Sequence, residues 1–218
     1  LAQSGVFDGK DTCVKLSPGI NVADVPGYTI EFWMKTLPGG NPKGYIMDWK
    51  QESGVNGLSV SIELTAAGRL RAKMFSWQSA TTDVQLTDGQ WHHAALSCLN
   101  EEGNSVTCRW LIDGQQDGNS INGFIWLSGA TSTLYFGCEK GGKDEYEGLL
   151  DEIRWSNETV YVQVPFTPQD TLTPTDQTIF LLNFDQPILQ DQVWDMSPNQ
   201  NHGKVLQSGT LSVSSDTP

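Results

Sequence analysis

Asp151 is the residue whose position most clearly asks for chemistry. In the segment YEGLLDEIRWSN (146–157), the two-residue period of a strand puts Leu149, Asp151, Ile153 and Trp155 on one face and Leu150, Glu152 and Arg154 on the other. An unpaired charge inside an apolar face is very costly, so this carboxylate needs a bound cation or a set of backbone donors. The four cysteines are the second set. Around the loop LNEEGNSV, Cys98 shares a face with Leu96 and Ala94, and Cys108 shares one with Trp110 and Ile112. The two can therefore oppose each other across a hairpin, and a Cys98–Cys108 disulfide is expected. Closing so short a loop stabilises by roughly 2–3 kcal/mol on the chain-entropy argument. Elimination pairs Cys13 with Cys138, although nothing in the spacing requires them to meet. Zinc is the rival use of cysteine, but zinc sites cluster their ligands at short spacing and the chain has no CxxC or HxxxH. Disulfides imply an oxidising compartment.

Eight tryptophans could stack on sugar rings. Trp33, Trp91 and Trp110 sit at core-facing strand positions. Trp49, Trp77 and Trp126 lie at strand ends or in loops among polar residues (DWKQES, SWQSAT, FIWLSG), and are the candidate ligand contacts, with Gln51, Arg71 and Gln78 as polar companions. No catalytic residue is assigned. A retaining glycosidase needs two carboxyl groups about 5 Å apart. Asp151 and Glu152 point to opposite faces of a strand, while Asp144, Glu145 and Glu147 read as a solvated loop. His92 and His93 have no identifiable carboxylate partner for acid–base work, and no nucleophile elbow marks a Ser-His-Asp grouping. Asn157-Glu158-Thr159 is an N-glycosylation sequon in an expected exposed turn.

The elements that must position these residues are strands. Runs at about 12–17, 28–36, 44–50, 57–63, 69–76, 81–86, 91–98, 105–112, 132–138, 147–155, 178–184 and 203–208 alternate or are apolar. Gly and Asp-Gly turn signals separate them, and no periodic amphipathic stretch is long enough for a substantial helix. The fold class expected is all-β, a two-sheet antiparallel β-sandwich of jelly-roll type. Pro165, Pro168 and Pro174 make 163–177 an extended crossover rather than a central strand. Residues 1–208 form one expected domain, and 209–218 a polar tail or linker. A length of 218 residues suits one β domain with a large core. The chain opens at Leu1 with no initiator Met, as expected of a processed secreted chain or a piece excised from a longer one. The apolar runs IFLLNF and GFIWL are far short of the roughly 20 residues a membrane span needs. A formal charge of −13 disfavours nucleic acid and anionic membranes as partners, and favours cations and neutral polymers.

Six segments in order also resemble the laminin-G-like branch of the concanavalin A-like lectin and glucanase superfamily. GVFDGKDTCVKL is similar to its first strand, YTIEFWMKT to its second conserved strand, GQWHHAAL to its central strand, and the Asp-Glu-Ile-Arg of LLDEIRW to the strand that closes its sandwich. PFTPQDTLTPTDQTIFLLNFDQ and VWDMSPNQNHGKVL resemble its proline-marked crossover and return turn, so the likeness spans roughly residues 4–208. The resemblance implies a structural calcium held by Asp8, Asp11 and Asp151 with turn carbonyls near Gly9, a role that oxygen-rich turns suit. It implies a non-catalytic, lectin-like carbohydrate-binding module of a secreted or cell-surface protein, its partner a glycan or polysaccharide. A laminin-G-like adhesion module binding a protein receptor or matrix component is the second reading. A glycan hydrolase or lyase is the third, since fold does not settle function.

Overall fold

The computed structural model describes residues 2–18, 25–40, 43–51, 59–74, 78–102, 105–124, 132–206 and 210–218, the side chains of Lys50, Gln51, Phe124 and Ser132 excepted. The strands are β1 (Ser4–Asp8), β2 (Val14–Leu16), β3 (Gly27–Thr36), β4 (Gly44–Gln51), β5 (Val60–Leu64), β6 (Leu70–Met74), β7 (Gln78–Thr81) and β8 (His92–Glu101). They continue with β9 (Ser105–Ile112), β10 (Gln115–Phe124), β11 (Ser132–Phe136), β12 (Glu147–Ser156), β13 (Thr178–Leu182), β14 (Gln192–Val193), β15 (Gly203–Val205) and β16 (Ser212–Ser214). No α-helix occurs among the described residues, and no helix there is long and apolar enough to cross a membrane. The strands form two antiparallel sheets packed as a jelly-roll sandwich. The first runs β10-β9-β8-β3-β12-β1-β16, with β13 also on β12, and the second runs β14-β15-β2-β11-β4-β5-β6-β7.

The core lies between the sheets and follows the period-2 pattern. Tyr28, Ile30, Phe32 and Met34 of β3 and Ala94, Leu96 and Cys98 of β8 meet Ile62, Leu64, Leu70 and Ala72 of β5 and β6. Trp155 stacks on Tyr28 at 5.7 Å between ring centroids and receives Trp49 edge-on at 5.3 Å, locking the two sheets together.

Strand β12 departs from the expected alternation. Its register against β3 slips between Asp151 and Arg154, and Glu152 takes a left-handed φ of 50°. This is a β-bulge, which inserts a residue and shifts the phase. Leu150, Ile153 and Trp155 enter the core, whereas Leu149 and Asp151 do not share that face. The bulge lies where one edge of β12 changes partner, pairing β1 through Glu147–Leu150 and β13 through Ile153–Ser156.

Several expected boundaries move. The strand expected at 81–86 is β7, ending at Thr81, and β1, β10, β14 and β16 were not foreseen. The segment expected to be a polar tail is part of the sandwich: Ser212–Ser214 pairs with β1, Leu211 is in the core, and Ser4 Oγ donates to the carbonyl of Asp216 at 2.7 Å.

Candidate functional site: the open face of the second sheet

The outer faces of the two sheets differ in how their polar residues are covered. On the first sheet, the residues of β3 and β8 that point away from the core include Glu31 and His93, both fully buried, and β12 adds Arg154. Arg154 Nε and Nη2 donate to Glu31 Oε1 at 2.8 and 2.6 Å, while His93 Nε2 lies 3.0 Å from Oε2 and the Tyr161 hydroxyl donates to the same oxygen. The crossover after β12 forms a strap over this cluster. Trp33 Nε1 donates to the Gln169 carbonyl at 3.0 Å, Arg154 Nη1 to that of Thr173 at 3.1 Å, and the rings of Tyr161 and Phe166 stack beside His93. Burial alone would raise the Glu31 carboxyl, but the His93 hydrogen bond and the Arg154 charge outweigh it and hold it below the usual range. Every charge of this cluster is paired and lies beneath the strap, so the cluster is structural.

Among the described residues, the second sheet presents a polar face that is partly open over β5 and β6, where Arg71 and Lys73 reach solvent, and closed over β4 and β11, where Asp48, Thr133 and Tyr135 are buried. In β5 and β6, Val60, Ile62, Leu70, Ala72 and Met74 point inward, so Ser61, Glu63, Arg71 and Lys73 point outward. Glu63 accepts from Arg71 through Oε1 and from Lys73 Nζ at 2.9 Å through Oε2. Its side chain is 9% exposed, against 40% and 35% for Arg71 and Lys73. Lys73 Nζ also lies 5.7 Å from the ring centroid of half-buried Tyr45 on β4, within cation–π range. Burial, then the charges of Glu63 and other carboxylates, push the Tyr45 hydroxyl up to about 12. The result is a fixed row of donors beside an aromatic ring. A cavity of about 280 Å³, lined among others by Lys10, Asp11, Tyr135 and Glu145, adjoins this face, since Glu145 bridges to Tyr45.

Arg71 is thus the one expected ligand contact that the described face carries. Gln78 is elsewhere: its Nε2 donates to the Asn122 carbonyl at 2.5 Å and ties β7 to β10. Trp49 is a core residue, 4% exposed, with its Nε1 enclosed and no acceptor among the described residues. The strand DWK continues further than its polar neighbours suggest, and the register places Trp49 opposite Val60 and Leu134. Trp77, Trp126 and the side chain of Gln51 lie outside the described residues. Tyr45, Glu63 and Lys73 were missed, though a signal existed. VSIEL and LRAKM alternate strictly, whereas the bulge between Tyr45 and Met47 hides the period in β4.

The three carboxylates expected to share a calcium do not come together. Asp8 pairs with Glu147 across β1 and β12, so Asp151 lies four residues further along, about 13 Å at ~3.3 Å per residue. Asp8 Oδ1 accepts the backbone N–H groups of Lys10, Asp11 and Thr12 at 3.1, 3.4 and 3.3 Å, capping its turn. Asp151 accepts the Glu152 N–H at 2.8 Å, and burial pushes it up to about 8. Glu152 is likewise raised by burial, to about 7, and accepts the Leu172 N–H at 2.8 Å. Among the described residues no three His, Cys, Asp or Glu side chains gather as a metal-holding group. The set Asp8, Asp11 and Asp151 does not fit one ion.

Both expected disulfides form. Cys98 lies directly opposite Cys108, with Cα atoms 4.1 Å apart, and Cys13 meets Cys138 at 5.5 Å. Asn157 is half-buried rather than exposed: its N–H donates to the Gln177 carbonyl at 2.9 Å and its Oδ1 is enclosed.

Comparison with known proteins agrees with this architecture. A solved candidate carbohydrate-binding protein from Bacteroides ovatus superposes with a TM-score of 0.64 at 14% identity, over 98% of this chain and 60% of that one. The heptameric SAP-like pentraxin from Limulus polyphemus gives 0.52 at 17% identity, over 73% of this chain and 77% of that one. The LG1-3 region of the laminin alpha2 chain gives 0.50 at 16% identity, over 76% and 33%. At such identities the likeness is one of fold, and this chain spans about three fifths of the Bacteroides ovatus protein. No curated protein sequence matches the chain. The laminin-G profile of the Concanavalin A-like lectin/glucanases superfamily matches residues 8–163, most of the sandwich, and the chain belongs to that family.

Proposed function

We propose that this domain is a non-catalytic carbohydrate-binding module of a secreted or cell-surface protein, and that its glycan lies across the open face of the second sheet. The observation that carries this reading is the Glu63–Arg71–Lys73–Tyr45 array. Glu63 pins two cationic side chains beside an aromatic ring, so donors for sugar hydroxyls and a surface for a sugar ring are held before the ligand arrives. The fold shared with a candidate carbohydrate-binding protein supports the ligand class. Two disulfides support an oxidising compartment. Two carboxylates on this face, Glu63 and Asp48, support a binding role over hydrolysis. Glu63 is occupied by two cations, and Asp48 is fully buried and accepts the Lys140 N–H at 2.8 Å. Neither is free to act as acid or nucleophile.

The test is a glycan array with the domain and its Arg71→Ala and Tyr45→Ala variants. Saturable binding to one sugar class, weakened about tenfold or more in either variant, supports the proposal. A broad array with no binding sinks it and moves the reading to a protein partner.

A further inference from the structure

The return turn after β14 builds a second concave site that the open face does not explain. Asp195, 4% exposed, organises this turn: its Oδ1 accepts the N–H groups of Leu181 and Ser197, both at 2.8 Å, and its Oδ2 accepts Ser197 Oγ at 2.8 Å and the Asn201 N–H at 2.6 Å. Asn199 and Asn201 donate their side-chain amides to backbone carbonyls of β13 at 2.7 and 2.9 Å. The chain between Trp194 and His202 is therefore tied down from below, and its outer side is fixed in shape.

That outer side surrounds a cavity of about 370 Å³ lined by Gln186, Trp194, Met196, Gln200 and His202 together with Asp195 and Ser197 of the turn. Trp194 is half-buried, and its Nε1 donates to the Pro187 carbonyl at 3.0 Å, which fixes the ring. His202 meets that ring edge to face at 4.9 Å. His202 Nδ1 accepts the Asp195 N–H at 3.1 Å, so the neutral imidazole carries its proton on Nε2. That Nε2–H and the side-chain amides of the exposed Gln186 and Gln200 have no partner among the described residues. Met196, 39% exposed, adds an apolar edge. A locked indole, an apolar thioether and three unused polar groups around one concavity match a ring with one apolar face and several hydroxyls.

We propose that this cavity is a second glycan site that takes a single neutral hexopyranose unit. Trp194 and Met196 contact the apolar face of the sugar, and Gln186, Gln200 and His202 Nε2–H bond its hydroxyls. The ligand class rests on the carbohydrate reading above; the site itself does not. β14 is an end strand of the second sheet, four strand steps from β4, about 19 Å at ~4.8 Å per step, so one chain can hold two points of a branched or repeating glycan.

The test is nitrogen-15 NMR of the full chain titrated with methyl glycosides of glucose, galactose, mannose and N-acetylglucosamine. The Trp194 indole N–H peak is assigned by its loss in Trp194→Phe, and the Tyr45 and Lys73 amides report on the open face. A saturable shift of the Trp194 peak, weakened about tenfold in Gln186→Ala and unchanged in Arg71→Ala, supports the site. Gln186 is exposed and makes no hydrogen bond to another described residue, so its loss leaves the fold intact. Shifts confined to Tyr45 and Lys73 overturn this site and leave the open-face reading standing. A Trp194 response with a silent open face supports this site and overturns that reading. Silence at both positions with every sugar overturns both.

Discussion

Glu31 accepts from three different side chains with no water-exposed surface, so removing its charge leaves Arg154 buried without a counter-ion. Glu31→Gln is expected to lower the unfolding free energy by about 3–5 kcal/mol, measured by urea denaturation at pH 7. Its folded carboxyl is held below the unfolded value, so its contribution is complete above the unfolded value and is lost as pH falls through the folded one. His92 has the opposite sign. The hydrogen bond to Asp113 raises it against the effect of burial, with Asp88 assisting at 3.0 Å. Its stabilising effect is complete below the unfolded histidine value and disappears as pH rises through the folded one. The stability difference between wild type and His92→Gln should therefore shrink on going from pH 5 to pH 9; a constant difference would contradict a charged imidazolium there. Trp49→Ala should cost about 3–5 kcal/mol of stability, the signature of a core ring rather than a ligand platform. At this scale the sequence disclosed the Cys98–Cys108 pair, because opposition across a hairpin is a matter of counting. It did not disclose that Asp151 would accept the N–H of the next residue, because that contact follows from the bulge at Glu152.

The strap and the bulge decide which sheet face works. Period-2 counting through LLDEIRW fails at one residue, Glu152, whose left-handed backbone moves Asp151 out of the face that Ile153 and Trp155 share. Nothing in its side chain announces this; the change of partner from β1 to β13 does. Strand β10 was illegible for a different reason: QQDGNSINGF is polar, carries its own irregularity between Asp117 and Ile121, and is a strand only because β9 offers it an edge. The proline-marked crossover was legible, but the cluster it covers was not. The strap is seated by a close approach at Gly114, where φ is +79° and an added Cβ would overlap the carbonyl of Phe166, which itself accepts no slack because the Phe166 N–H donates to the Gly114 carbonyl at 3.0 Å. Gly114→Ala should lift the strap and lower stability by about 2 kcal/mol or more, with faster amide exchange confined to residues of the strap and of β3 and β8 beneath it. Uniformly faster exchange would mean the strap is not a separate unit.

As a whole, the described molecule is a sandwich whose first sheet is strapped on its outer face by its own chain and whose second sheet is partly open there. The two disulfides hold it from opposite sides, one within the hairpin of the first sheet and one between β2 and the end of β11 in the second. Because Asp8, Asp11 and Asp151 do not share a site, Asp151→Asn should leave any effect of EDTA on the midpoint of thermal unfolding unchanged; an EDTA effect lost in that variant would place an ion at Asp151. The pairing of β1 with β16 has a topological consequence. Antiparallel strands side by side bring the first and last described segments to the same edge, with Ser4 bonded to Asp216. The covalent order of the chain is therefore nearly a closed ring, and where that ring is cut is a secondary matter. A permuted chain joined across those ends by about six Gly and Ser residues and reopened at the exposed turn Gly141–Gly142 should fold to the same sandwich, melting within about 5 °C of the original. The same geometry lets the domain be spliced into a surface loop of another protein without prising that loop apart.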